Sequence, residues 1–81
     1  MKKIKMYAVL INGRNGERIR KEELHTVMMD DSWRISRRVY DHLMHEMGKL
    51  PHAPKAHYWM LFTEDGRKVV SVTYGSFVRF A

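Results

Sequence analysis

The side chains in this sequence best suited to chemistry are cationic. Seven bases (Lys2, Lys3, Lys5, Arg14, Arg18, Arg20 and Lys21) fall within the first 21 residues, against one acid, Glu17. Residues 22–50 carry four bases and six acids, and residues 51–81 carry four and two. The formal charge of +6 therefore sits in the first quarter of the chain. Clustered ammonium and guanidinium groups draw polyanions or acidic proteins, and they donate to phosphate oxygens whatever the base sequence. Arg34 and Arg38, with His45 and Lys49, add a basic row on a helix-patterned stretch. The residues expected to contact nucleic acid are Lys2, Lys3, Lys5, Arg14, Arg18, Arg20, Lys21, Arg34 and Arg38.

Other constellations are weaker. His42-Leu43-Met44-His45-Glu46 puts two imidazoles three apart, but the order is neither H-E-x-x-H nor H-x-x-E-H, and Arg38 lies between them on the helical wheel. No metal, cofactor or catalytic residue is assigned. His57 with Tyr58, or His45 with Asp41, has the residue types of a proton-transfer pair, as in small basic ribonuclease toxins. No nucleophile elbow or phosphate-binding loop supports an enzyme. The absence of cysteine excludes disulfides, thiolate metal sites and cysteine nucleophiles.

Gly13-Arg14-Asn15-Gly16 matches the G-x-x-G loop with which KH domains clamp a nucleic-acid backbone. There the loop joins two helices, whereas here it ends a strand, so a hairpin tip is the better reading. Phe77-Val78-Arg79-Phe80 has the pattern of the last half of the RNP1 signature of RNA-recognition motifs. Thr73-Tyr74-Gly75-Ser76 does not supply the first half, which leaves a terminal core strand.

The elements that must position these residues follow from patterning. Lys3–Ile11 reads as a strand with Ile4, Met6, Ala8 and Leu10 on one face, entering a turn at Asn12-Gly13 and Asn15-Gly16. Residues 17–29 fit helix or strand, and a strand is preferred through Leu24–Met29. The Asp30-Asp31-Ser32 cluster is a helix N-cap signal, predicting a helix over Ser32–Met47. Trp33, Ser36, Val39, Tyr40, Leu43, Met44 and Met47 share its apolar arc, with Gly48 as C′ residue and Pro51 and Pro54 beyond. His57–Thr63, a turn at Glu64-Asp65-Gly66, Arg67–Tyr74 and a bent-off Phe77–Phe80 complete the chain. The fold class is α+β, a small antiparallel sheet in β-β-α-β-β order, extended by a fifth strand at Phe77–Phe80, with one amphipathic helix on one face. At the level of architecture alone this is similar to small phage-encoded inhibitors of host machinery.

Eighty-one residues make a single domain, 1–81. Met6–Ile11 is too short for a signal core and nothing reaches membrane-span length, so the chain reads as cytoplasmic and full-length, with no membrane partner. One helix covers only one face of a sheet, yet Tyr7, Val9 and Ile11, and Tyr58, Met60 and Phe62, present a second apolar face, and Trp59 shares their strand. Tyr7, Tyr58, Trp59 and Phe62 are the expected partner-binding residues, and a homo-oligomer is expected. The function expected is a small non-enzymatic binding module for nucleic acid through the first hairpin. The alternatives are a protein-binding modulator acting through the second face, and a ribonuclease-type toxin.

Overall fold

Lys2–Asn12 forms an eleven-residue strand, β1, that alternates at Lys3–Met6 and is then apolar on both faces through Ile11. A turn returns it into β2, Arg18–Met29. In the computed structural model, which describes residues 1–72 and 77–81, a short third strand follows, β3 (Arg34–Ser36). Helix α1 (Arg37–Met47) and strands β4 (His57–Thr63), β5 (Val69–Val72) and β6 (Phe77–Phe80) complete the order. The strands form two antiparallel three-stranded sheets, β2-β1-β4 and β3-β6-β5. A bridge between Phe62 and Lys68 joins them through the β4–β5 turn.

The inner face of the first sheet supplies Ile4, Met6, Ala8, Val27, Met29 and Leu61 to the core. Ile35, Val78 and Phe80 come from the second sheet, and Leu43 and Met47 from α1. The cover over this face is thus a helix plus a small sheet. This is the α+β arrangement that the patterning predicts, with the strands divided between two sheets and β3 added before the helix.

That added strand moves the helix start. Ser36, not the Asp30–Ser32 cluster, is the N-cap, and its hydroxyl accepts from the Val39 amide at 3.2 Å. The Asp30 carboxylate instead closes a turn by accepting from the Ser32 amide and hydroxyl, the Arg34 amide and Arg34 Nε. Within that turn Trp33 holds φ 58°, a left-handed conformation disfavoured for a bulky side chain. It is pinned by its amide to Asp30 O, by its carbonyl to Phe80 N, and by Lys2 and Arg67 stacked over its ring at 4.3 and 3.7 Å. Gly48 caps α1 at φ −63°, so the helix ends without the left-handed residue expected of a C′ glycine.

The strand alternative for residues 17–29 holds and extends to Arg18. The turn at Glu64-Asp65-Gly66 forms with Gly66 at φ 87°, and its Gly66 amide donates to the Thr63 carbonyl. The expected strand over Arg67–Tyr74 is present as β5, but Tyr74, the Gly75-Ser76 bend and the failing half of the RNP1 pattern lie outside the described residues. No helix among the described residues is long and apolar enough to cross a membrane.

Candidate nucleic-acid interface

Gly13-Arg14-Asn15-Gly16 is a hairpin tip between two strands, without the flanking helices of a KH loop. Asn12 and Asn15 accept through their side chains from the amides of Arg14 and Glu17, so each asparagine replaces a backbone partner at the turn. Gly16 takes φ 74°. Gly13 is required for closeness: its amide donates to the Ala56 carbonyl at 2.7 Å, and a Cβ there would lie 2.3 Å from that oxygen. The tip is thereby anchored to the loop that leads into β4.

Cross-strand register determines which cations share a face. Lys5 pairs with Thr26 and Tyr7 with Glu23, so β2 carries an extra residue there. Leu10 pairs with Arg20 but Ile11 with Arg18, which leaves Ile19 as a second extra residue, about half exposed. Each bulge reverses the inside–outside alternation of β2 relative to β1. Arg18 and Lys21, three apart and on opposite faces in a regular strand, therefore both reach the outer face. Arg20 falls on the inner face beside Leu10, where its guanidinium donates to Glu22 at 2.6 Å.

The outer face also carries Tyr7, Val9 and Ile11 from β1, and their register partners Phe62, Met60 and Tyr58 from β4. The Arg18 guanidinium lies 4.4 Å from the Phe62 ring centre and Lys21 Nζ 4.1 Å from that of Tyr7. With Val9, Ile19, Arg20 and Glu64, these four residues line a shallow depression. Lys3 and Lys5 continue the face toward the start of β1. Lys5 is paired with Glu23 at 2.7 Å, and the hydrogen bond its ammonium donates to that carboxylate raises its pKa above the ordinary value.

The second apolar face is less bare than its composition predicts. Val9, Ile11 and Phe62 are buried within the single chain, and Tyr7 and Met60 are half-buried. The stems of Arg18 and Lys21 supply part of this cover, as long cationic side chains do. Only Tyr58, 44% exposed, stands clear. Burial of these three residues needs no second copy of the chain.

The remaining predicted residues are dispersed. Trp59 lies on the inner face against the core, its indole N–H donating to the Pro51 carbonyl, so it cannot join Tyr7, Tyr58 and Phe62. Lys2 stacks on Trp33. Arg34 sits on β3, paired with Asp30 and 4.2 Å from the Phe77 ring centre, which breaks the basic row expected along the helix. Arg38 is exposed on α1 at the edge of a cleft between β2 and α1. Asp41 pairs with Arg37 rather than His45, and adjacent His57 and Tyr58 point to opposite faces of β4. The residue types of a proton-transfer pair are thus not brought together at either position.

Patterning overlooks one constellation. His25 of β2 meets His42 and Glu46 of α1, and one ligand atom from each lies within 4.8 Å of the others. His42 and Glu46, four apart, are legible as a one-turn pair on a helix. His25 joins them only through the fold. Comparison with protein-family models, curated proteins and solved structures finds no match to this chain.

Proposed function

We propose that this protein is a small non-enzymatic module that binds single-stranded nucleic acid along the outer face of its first sheet. The observation that carries this reading is the doubly bulged register, which brings Arg18 and Lys21 onto the face holding Tyr7, Tyr58 and Phe62. Single strands are recognised by surfaces that combine backbone-neutralising cations with rings on which bases stack. Arg14 at the tip, Arg18, Lys21 and Lys3 meet phosphates. Tyr58, and Tyr7 once Lys21 swings onto a phosphate, offer stacking surface. Phe62 lies too deep to stack and instead supports the Arg18 guanidinium.

The reading is tested by titrating labelled single-stranded DNA and RNA into the wild type and single variants. Base stacking contributes about 1–3 kcal/mol per base, so Tyr58→Ala weakens single-strand binding on the order of tenfold and leaves duplex binding little changed. Arg38→Ala, on α1 away from this face, leaves affinity near wild type. Equal loss from Arg38→Ala and Lys21→Ala would contradict a face-specific interface.

The second reading is a protein-binding modulator. It is favoured by a cleft of about 780 Å³ beside β2, with Met1, Met28, Ile35, Val39 and Phe77 among its lining residues. β2 is an edge strand of its sheet, and an extended peptide can pair with such an edge. A partner of this kind survives nuclease treatment, depends weakly on salt, and is lost on Met28→Asp.

A further inference from the structure

The bulge in β2 has a second consequence, on the side opposite the proposed interface. Thr26 and Glu23 face outward beside Lys5 and Tyr7, so the two residues between them, Leu24 and His25, both turn toward the helix side. Leu24 packs against the core, and His25 reaches α1. There its Nδ1 contacts Glu46 Oε1, while His42 Nε2 approaches the same oxygen at 3.6 Å. The two imidazoles stand edge to face with centroids 5.3 Å apart. Glu46 is largely buried, and its other oxygen, Oε2, is shielded from solvent without a hydrogen-bond partner among the described residues. A buried carboxylate oxygen lacking a donor is costly unless a cation or a donor meets it.

We propose that His25, His42 and Glu46 form a binding site for a divalent transition-metal ion, with Zn²⁺ the best fit. Two nitrogen donors and one carboxylate suit Zn²⁺ and its transition-metal neighbours. Mg²⁺ and Ca²⁺ demand oxygen ligands. Bond lengths near 2.0–2.2 Å in a tetrahedron put ligand atoms roughly 3.3–3.5 Å apart. The widest separation, up to 4.8 Å, closes and the direct His25–Glu46 contact opens by rotation of two imidazoles that are each about two-thirds exposed. Three protein ligands leave a fourth position open. Water or a small anion would complete the shell, and His25 and His42 line the cleft beside β2 together with Arg38. Because His25 belongs to a sheet edge and the other two ligands to the helix, the ion pins α1 against β2. The site lies away from the outer face and does not depend on the nucleic-acid reading.

The test uses tag-free protein and Zn²⁺ alone, by equilibrium dialysis, with Co²⁺ substitution reporting coordination through its visible absorption. The wild type is expected to bind one Zn²⁺ per chain, with a tetrahedral Co²⁺ spectrum and a melting temperature raised by Zn²⁺ but not by Mg²⁺. His25→Ala and His42→Ala remove exposed side chains without opening the core, and each lowers Zn²⁺ affinity on the order of 100-fold or more, since even indirect supports of a metal ligand are worth 10–100-fold. His45→Ala, on the same helix but outside the cluster, leaves affinity unchanged. The proposal is overturned if His25→Ala binds Zn²⁺ like the wild type. It is overturned equally if His45→Ala loses as much as His42→Ala, which marks adsorption to surface imidazoles, or if no stoichiometric ion binds.

Discussion

Asp30 is the hub of the turn between β2 and β3, with four donors from Ser32 and Arg34 on its carboxylate. The Ser32 hydroxyl foremost, then Arg34, holds its pKa at about 2, below the usual 3.8. A carboxylate with a depressed folded pKa stabilises the fold fully above its unfolded value and loses that contribution as pH falls through the folded one. The stability difference between wild type and Asp30→Asn is therefore expected to be constant above about pH 5 and to shrink steadily between about pH 4 and pH 2. Urea melts across that range measure it, and a difference that widens on acidification contradicts the assignment. Asp65 shifts the same way because the Thr63 hydroxyl donates to it. Gly13 carries the other residue-scale prediction. Its missing Cβ leaves room for the Ala56 carbonyl, so Gly13→Ala costs about 1–3 kcal/mol through displaced backbone. A stability measurement within error of wild type would show that the 52–56 loop yields instead.

At the scale of elements, local signals and long-range pairing compete. Asp30-Asp31-Ser32 has the composition of a helix cap, and Asp30 does bond to amides two and four residues on. The chain nevertheless enters β3 because Arg34, Ile35 and Ser36 pair with Arg79, Val78 and Phe77, residues more than forty positions away that no local pattern reveals. Removal of the true cap should show this. Ser36→Ala is expected to cost about 1 kcal/mol, as loss of a serine N-cap does, with the loss of helical circular dichroism preceding global unfolding. An unchanged unfolding midpoint for Ser36→Ala would place the cap elsewhere. The same competition explains the site. Strand alternation made Tyr7, Tyr58 and Phe62 legible as one face and Trp59 as the other. The bulges that put Arg18 and Lys21 beside the aromatics, and His25 beside α1, have no glycine or proline to announce them. They become visible only once β1 imposes its register.

At the scale of the whole molecule, the early excess of positive charge is divided by the fold. Lys2 and Arg20 go to the inner side, Lys5 is neutralised by Glu23, and Lys3, Arg18 and Lys21, with Arg14 at the tip, remain on or beside the outer face. The central claim is that this remainder neutralises phosphates. Each phosphate contact releases condensed counterions, so affinity for a single strand falls with salt at a log–log slope of about −0.7 per contact. The most direct measurement is a salt titration of oligonucleotide binding by the wild type and by the Arg14→Ala, Lys21→Ala double variant. The slope is expected to flatten by about 1.4 in the variant, equally for unrelated sequences, because phosphates carry no base identity. A slope unchanged by the double substitution, or no binding to DNA or RNA at low salt, would contradict the nucleic-acid interface.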